Sequence, residues 1–166
     1  MNWYVAQVMT GKEDGIRERI QEQGIKAIVP KRRMREQKNG KWREVVRNVF
    51  QSYVFIYTDM DVDTYYKIKP IPGIIKLLGD DKGAMPIQEE EANLILRMSM
   101  DGDPLGLSEV FVEGGNVVVD SGPLKGFEGR IVKLDARRFR AKVDISFMGE
   151  PRIVELPVNV IKKSEA

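Results

Sequence analysis

Cysteine and histidine are both absent from the 166 residues. The first absence excludes disulfides, thiolate metal sites and cysteine nucleophiles. The second removes the side chain most used for proton transfer near neutral pH, and the commonest metal ligand. No apolar run approaches the roughly 20 residues that span a bilayer. The opening MNWYVAQV lacks the basic leader of a secretory signal, which places the chain in the cytoplasm with no membrane partner. No glycine motif for nucleotides is present, and the carboxylates fall mainly at helix starts and turns. These absences point to a binding protein, not an enzyme, with no cofactor and no metal.

What is present is charge, unevenly spread. The chain is 42% hydrophobic and 31% charged, an ordinary globular composition with a net charge of only +2. The stretch 31–47 is strongly basic, with Lys31, Arg32, Arg33, Arg35, Lys38, Lys41, Arg43 and Arg47 against Glu36 and Glu44. Residues 80–103 lean acidic, and 125–142 is basic again. Two separated cationic surfaces suggest a polyanion partner, with plain solvated faces as the alternative.

Local patterning gives the elements. Asn2 to Met9 reads as a strand. Thr10-Gly11-Lys12-Glu13 fits a capping box, with Ile16 and Ile20 as the buried stripe of the helix and Gly24 at its end. Ile25 to Pro30 reads as a strand, and Met34 to Val46 as a protruding hairpin turning at Asn39-Gly40. Val49 to Thr58 is the most strand-like stretch. A short helix over 62–68 follows, with Asp61 or Asp63 as a cap, then a strand over 73–78. A further helix over 88–100 has Leu94 and Met98 as its stripe.

The nine residues DGDPLGLSE, 101–109, read as a linker between domains 1–100 and 110–166, with a mean span of roughly 15–18 Å if flexible. Beyond it lie strands over 116–120, 129–134, 140–147 and 152–157, and a last one near Val160. Five short strands suggest a small closed barrel, which hides its edges. The loop SGPLKGFEG, 121–129, leads into a strand and not a helix, which argues for positive-φ turns over a phosphate cradle. Phe127 can close the barrel or touch a ligand, and Lys125 is the loop's exposed charge.

WYVAQVMTGKE, the Asn39-Gly40 hairpin, the Phe50, Tyr53, Val54, Phe55 strand, Pro72-Gly73-Ile74 and GNVVVDSGPLKGFEGRIVKLD together resemble the NusG transcription-factor family, in order along the chain. The resemblance implies an α+β protein. Its N-terminal NGN domain is an α/β sandwich with an antiparallel sheet flanked by helices, and its C-terminal KOW domain is a small five-stranded SH3-like β-barrel. It further implies contact between the NGN domain and the clamp helices of bacterial RNA polymerase. Carried over by position, that contact falls on Phe50, Tyr53 and Phe55, with Tyr4 nearby, as an exposed patch; patterning alone favours core. Thr64 and Tyr65, with Tyr66, fall where some members touch a second polymerase element, although packing of the short helix accounts for them equally.

Two departures select a subgroup. Gln51-Ser52 stands where the general elongation factor usually has Pro-Gly, and Phe147-Met148-Gly149-Glu150 where it commonly has apolar-Phe-Gly-Arg. That inverts a charge at its contact with a ribosomal protein or the Rho terminator. The turn Asp135 to Lys142 carries Arg137, Arg138 and Arg140 instead, a multiply donating set for phosphates or guanine edges. With Lys125, Arg130 and Lys142 it would make one RNA-binding surface. This looks like the specialised NusG paralogues of the LoaP antiterminator type, which are associated with an RNA hairpin. The hairpin residues Lys31, Arg32, Arg33, Arg35, Lys38 and Lys41 would reach upstream DNA phosphates. The expected molecule is a monomeric antitermination factor joining RNA polymerase to a nascent RNA hairpin. The rivals are a general elongation factor and a ribosome-associated KOW protein.

Overall fold

Residues 1–97 and 104–162 are described by a computed structural model, and the chain divides into two units. The first unit comprises Met1–Val29, Phe50–Asn93 and Phe147–Gly149. Its strands are β1 (Asn2–Val8), β2 (Lys26–Ile28), β5 (Tyr53–Thr58) and β6 (Ile74–Leu77), in the antiparallel order β2-β5-β1-β6. Alternation along β1 and β5 sends Ala6, Val8, Val54 and Ile56 to one face, as the two-residue period of a strand requires. There they pack with Ile16 and Ile20 of α1 (Glu13–Glu22) and Ile68 of α2 (Val62–Ile68).

The helix starts differ in mechanism. Asp61 caps α2 by accepting a 2.7 Å hydrogen bond from the Thr64 N–H, and this bond holds its carboxyl below the usual aspartate range. At α1 the expected capping box does not form, because the helix begins later than the box needs, at Glu13, with Lys12 as a cap residue that makes no side-chain cap bond. The Glu13 carboxylate accepts from the Gly11 N–H at 2.5 Å, whereas the Thr10 hydroxyl pairs with the Ser52 hydroxyl at 2.5 Å. Strand β5 begins at Tyr53, not Val49, because residues 50–52 form a turn with Ser52 at φ 71°. A small hairpin of β7 (Gly79–Asp80) and β8 (Gly83–Ala84) precedes α3 (Glu89–Arg97), whose start is closed by Glu91 accepting from the Gln88 N–H at 3.0 Å. Met98, expected on that helix's stripe, lies outside the described residues.

The second unit comprises Pro30–Val49, Leu94–Ser146 and Glu150–Ala166. Strands β3 (Lys31–Lys38) and β4 (Lys41–Asn48) form the expected hairpin, with Lys38 opposite Lys41 and both Asn39 (φ 53°) and Gly40 (φ 77°) left-handed, as a type I′ turn demands. A five-stranded sheet runs β10 (Asn116–Ser121), β9 (Ser108–Glu113), β13 (Ile153–Val160), β12 (Arg140–Asp144), β11 (Ile131–Asp135). The count of five was expected, but the membership differs. The first strand is β9, and the segments expected at 152–157 and near Val160 are one strand. Pro157 does not break it, because the parallel pairing to β9 begins only at Val158. Of the stretch read as a linker, 101–103 lies outside the described residues, Leu105 bridges to Arg32, and Ser108 opens β9.

The loop SGPLKGFEG folds back on β9. Gly122 holds φ 105°, and a Cβ there would stand 2.5 Å from the Ser108 Cα, so only glycine fits. The buried Ser108 hydroxyl accepts from the Leu124 N–H at 3.0 Å, and Leu124 is buried in turn. A single 3-10 turn, Glu128–Arg130, delivers the chain into β11.

Candidate functional site

In the first unit Phe50, Tyr53 and Phe55 form one cluster with Phe147, and it is covered. Register sets Tyr53, Phe55 and Tyr57 of β5 opposite Gln7, Val5 and Trp3 of β1, all on the sheet face away from α1 and α2. Phe50, in the turn before β5, lies edge-on to Phe55 with centroids 5.3 Å apart. Phe147 packs against Phe50, Tyr53 and Phe55 at 5.6, 5.4 and 5.6 Å. Phe50, Phe55 and Phe147 are all buried. The patch expected from the resemblance is therefore assembled but not exposed, because the ring of Phe147 occupies it. Tyr4 does not join it. Its partner across the ladder is Ile56, so its side chain points to the opposite face, while Trp3 stacks at 5.0 Å on Tyr57.

On α2, Thr64 and Tyr65 are half-buried and Tyr66 is exposed. The Tyr65 ring carries the Lys69 ammonium at 5.3 Å and meets the Tyr66 ring edge-on at 5.5 Å. The two tyrosines thus pack together beside the Asp61 cap, with Tyr66 the exposed member.

The second unit sorts its cations into two kinds. Arg140 donates to the Glu155 carboxylate at 2.7 Å and to the Arg35 carbonyl at 2.9 Å. Arg32 donates to the Glu155 carbonyl, and burial holds its guanidinium below the ordinary arginine range despite the nearby Glu155 charge. Lys31 is bonded to the Asn48 amide oxygen, and Arg33 pairs with Glu44 at 3.4 Å. Arg47 grips Glu36 through two 3.0 Å bonds, which lower the Glu36 carboxyl pKa and raise that of Arg47. By contrast Lys38, Lys41, Arg43, Arg137, Arg138 and Lys142 are exposed and make no ion pair among the described residues.

The residues expected from Lys125 to Lys142 to make one RNA surface are spread over several elements. Arg130 precedes β11 and the arginine turn follows it, so roughly 16 Å of strand separates them. The Lys125 ammonium is held by the Val119 carbonyl of β10 at 3.0 Å, on the far edge strand of the sheet order. What the turn does meet is the β3–β4 hairpin. The Arg35 guanidinium lies 4.5 Å over the Phe139 ring, and Trp42 stands edge-on to it at 5.6 Å. Neither Trp42 nor Phe139 stands among the residues singled out from sequence. A tryptophan inside an otherwise charged hairpin was the available signal.

Among the described residues no cluster of histidine, cysteine, aspartate or glutamate could hold a metal ion, and no helix is long and apolar enough to cross a membrane. The family model described as transcription termination factor nusG matches residues 1–96. A Haemophilus influenzae transcription termination/antitermination protein NusG is 31% identical over 173 residues, covering 97% of this chain and 93% of that one. The Campylobacter jejuni protein of the same name is 27% identical over 170 residues, covering 97% and 96%. Among solved structures, one described as domain interaction in Thermotoga maritima NusG aligns with a TM-score of 0.58 at 25% identity, covering 94% of this chain and 93% of that one. With an α/β first unit, a strand-rich second unit and a family match over more than half its length, the chain belongs to the NusG family of transcription termination/antitermination factors.

Proposed function

We propose that the chain is a non-enzymatic, processive antitermination factor of the LoaP type. Residues 1–100 hold bacterial RNA polymerase at its clamp helices, 101–109 act as a linker, and the KOW domain, 110–166, holds a nascent RNA hairpin. The factor works as a monomer in the cytoplasm without a cofactor. By binding the closed, elongating polymerase better than paused states, it shifts that equilibrium toward elongation. RNA held by the second domain raises the local concentration of the first at the polymerase.

The observation that carries this reading is the division of labour among the arginines. Arg140 and Arg32 are consumed in structural bonds, which leaves Arg137 and Arg138 presented on the turn with no acidic partner among the described residues. Such a pair supplies planar donors for phosphates or guanine edges. The aromatic cluster of Phe50, Tyr53 and Phe55 supplies the apolar surface for polymerase once Phe147 leaves it. Thr64 and Tyr65 add a second polymerase contact. Upstream DNA remains a partner for the hairpin cations.

Filter binding of stem-loop RNA across a salt series tests the RNA half. The expected log affinity falls with log salt at about 0.7–0.9 per phosphate contact, with stem-loops preferred. A flat salt response without preference would contradict it. One observation favours the general elongation factor instead: Val132 of β11 and Ile153 of β13 are exposed apolar side chains, suited to a protein partner. Binding of a ribosomal protein or Rho, with no RNA affinity, would select that reading.

A further inference from the structure

The turn between β11 and β12 is locked to the β3–β4 hairpin by more than charge. Register sets Arg35 opposite Glu44 and Gln37 opposite Trp42, so Arg35 and Trp42 share one face of the ribbon as diagonal neighbours. Both reach Phe139, the guanidinium from above and the indole edge-on. Phe139 itself holds φ 57°, a left-handed backbone that bulky side chains rarely adopt. The Arg138 N–H on the Asp135 carboxylate, the Val158 N–H on the Phe139 carbonyl, and Arg140 on the Arg35 carbonyl fix it there. Strain of this kind persists where surrounding structure enforces it, and it concentrates at functional places.

The result is a rigid aromatic mount whose outer member stays open. Trp42 is 44% exposed, whereas the chain's other tryptophan, Trp3, is 8% exposed. Arg137 and Arg138 of the turn are exposed and directly precede Phe139, whereas Lys38, Lys41 and Arg43 alternate to the ribbon face opposite Trp42.

We propose that Trp42 is a stacking platform for an unpaired RNA base, with Arg137 and Arg138 of the turn holding phosphates of that same strand. The proposal rests on the reading of the chain as an RNA-binding factor. It adds that hairpin and turn serve one ligand, and it names the base-contacting residue. An indole face accepts any base, because every base has a π face, and the turn arginines hold the backbone. Paired bases in a helix have no free face to offer. The site therefore selects a loop or bulge.

The test uses the full chain, a stem-loop RNA with a uridine-rich loop, the same stem as a fully paired duplex, and DNA of the loop sequence. Binding is followed by anisotropy of the labelled nucleic acid and by tryptophan emission. The stem-loop is expected to quench the wild-type emission and to leave that of Trp42→Phe unquenched, since Trp3 is buried. Trp42→Ala should weaken stem-loop binding roughly 10- to 100-fold. It should leave duplex binding and the salt slope unchanged, and Trp42→Phe should recover part of the affinity. Unaltered stem-loop affinity in Trp42→Ala, without quenching in the wild type but with salt-dependent RNA binding intact, overturns the stacking site and leaves the RNA reading standing. Tighter binding and stronger quenching by the DNA overturns the assignment to RNA. No binding of any RNA by the wild type overturns both.

Discussion

The Phe147 ring meets that of Phe55 edge to face, with centroids 5.6 Å apart and planes at 80°, and both side chains are fully buried. Phe147 thus takes the surface that the proposed function assigns to polymerase. Replacing it by alanine removes a buried aromatic and should cost about 3–5 kcal/mol of stability in the first unit, read as a lower unfolding midpoint. The same change should tighten binding to core RNA polymerase, because apparent affinity scales with the fraction of molecules whose patch is open. Weaker polymerase binding by a variant that remains folded would remove this cluster from the polymerase surface.

Arg137 and Arg138 should behave unlike Arg140. Alanine at both of the first two should leave the unfolding midpoint unchanged and reduce the salt slope of RNA binding by about 0.7–0.9 for each phosphate no longer neutralised. Arg140→Ala breaks the 2.7 Å pair with Glu155 and the bond to the Arg35 carbonyl. Because that pair is only half-buried, the cost should be about 1 kcal/mol of stability. Thermal melts beside salt-titrated filter binding separate the two effects.

Gly122 and Gly126 offer a controlled comparison within one loop. Both have positive φ, 105° and 89°, but a Cβ at Gly122 meets the Ser108 backbone, while at Gly126 nothing lies within 4 Å. Gly126→Ala should cost about 1 kcal/mol from backbone strain alone. Gly122→Ala should cost clearly more, because β9 must shift and the Ser108–Leu124 bond with it. Equal melting curves for the two variants would contradict this account of the loop.

The sequence exposed its local chemistry better than its long-range pairings. Asn39-Gly40 specified its turn, and the α2 cap was narrowed to Asp61 or Asp63, of which Asp61 makes the bond, because both features act within a few residues. The orientation of Tyr4 was not legible, because which face it occupies depends on register with Ile56, more than fifty positions away. Nor was the burial of Phe50 and Phe55, which depends on Phe147 from a distant stretch of chain. Arginine count in the turn suggested three equivalent donors. Only the position of Glu155 on β13 shows that Arg140 is spent.

The Asp61 cap carries a pH signature. Its carboxyl is held below the usual aspartate value by the Thr64 N–H, so its stabilisation of α2 is present above about pH 4 and is lost as pH falls through the lowered folded value. The Thr64 amide resonance and hydrogen exchange in α2 should report that loss in acid. Asp61→Asn keeps an acceptor at the cap and should remove the pH dependence of that amide. An acid response of Thr64 that persists in Asp61→Asn would assign it to another group.

The most direct test of the account as a whole is transcription by purified bacterial RNA polymerase. The template carries the leader of the operon adjacent to this gene upstream of an intrinsic terminator. The full chain is predicted to stay with the elongating polymerase and raise read-through. Tyr53→Ala and the Arg137→Ala, Arg138→Ala double variant are each predicted to lose that gain, the first through polymerase binding and the second through RNA. Read-through unchanged by the wild-type chain, with none of it retained on the polymerase, would contradict the account.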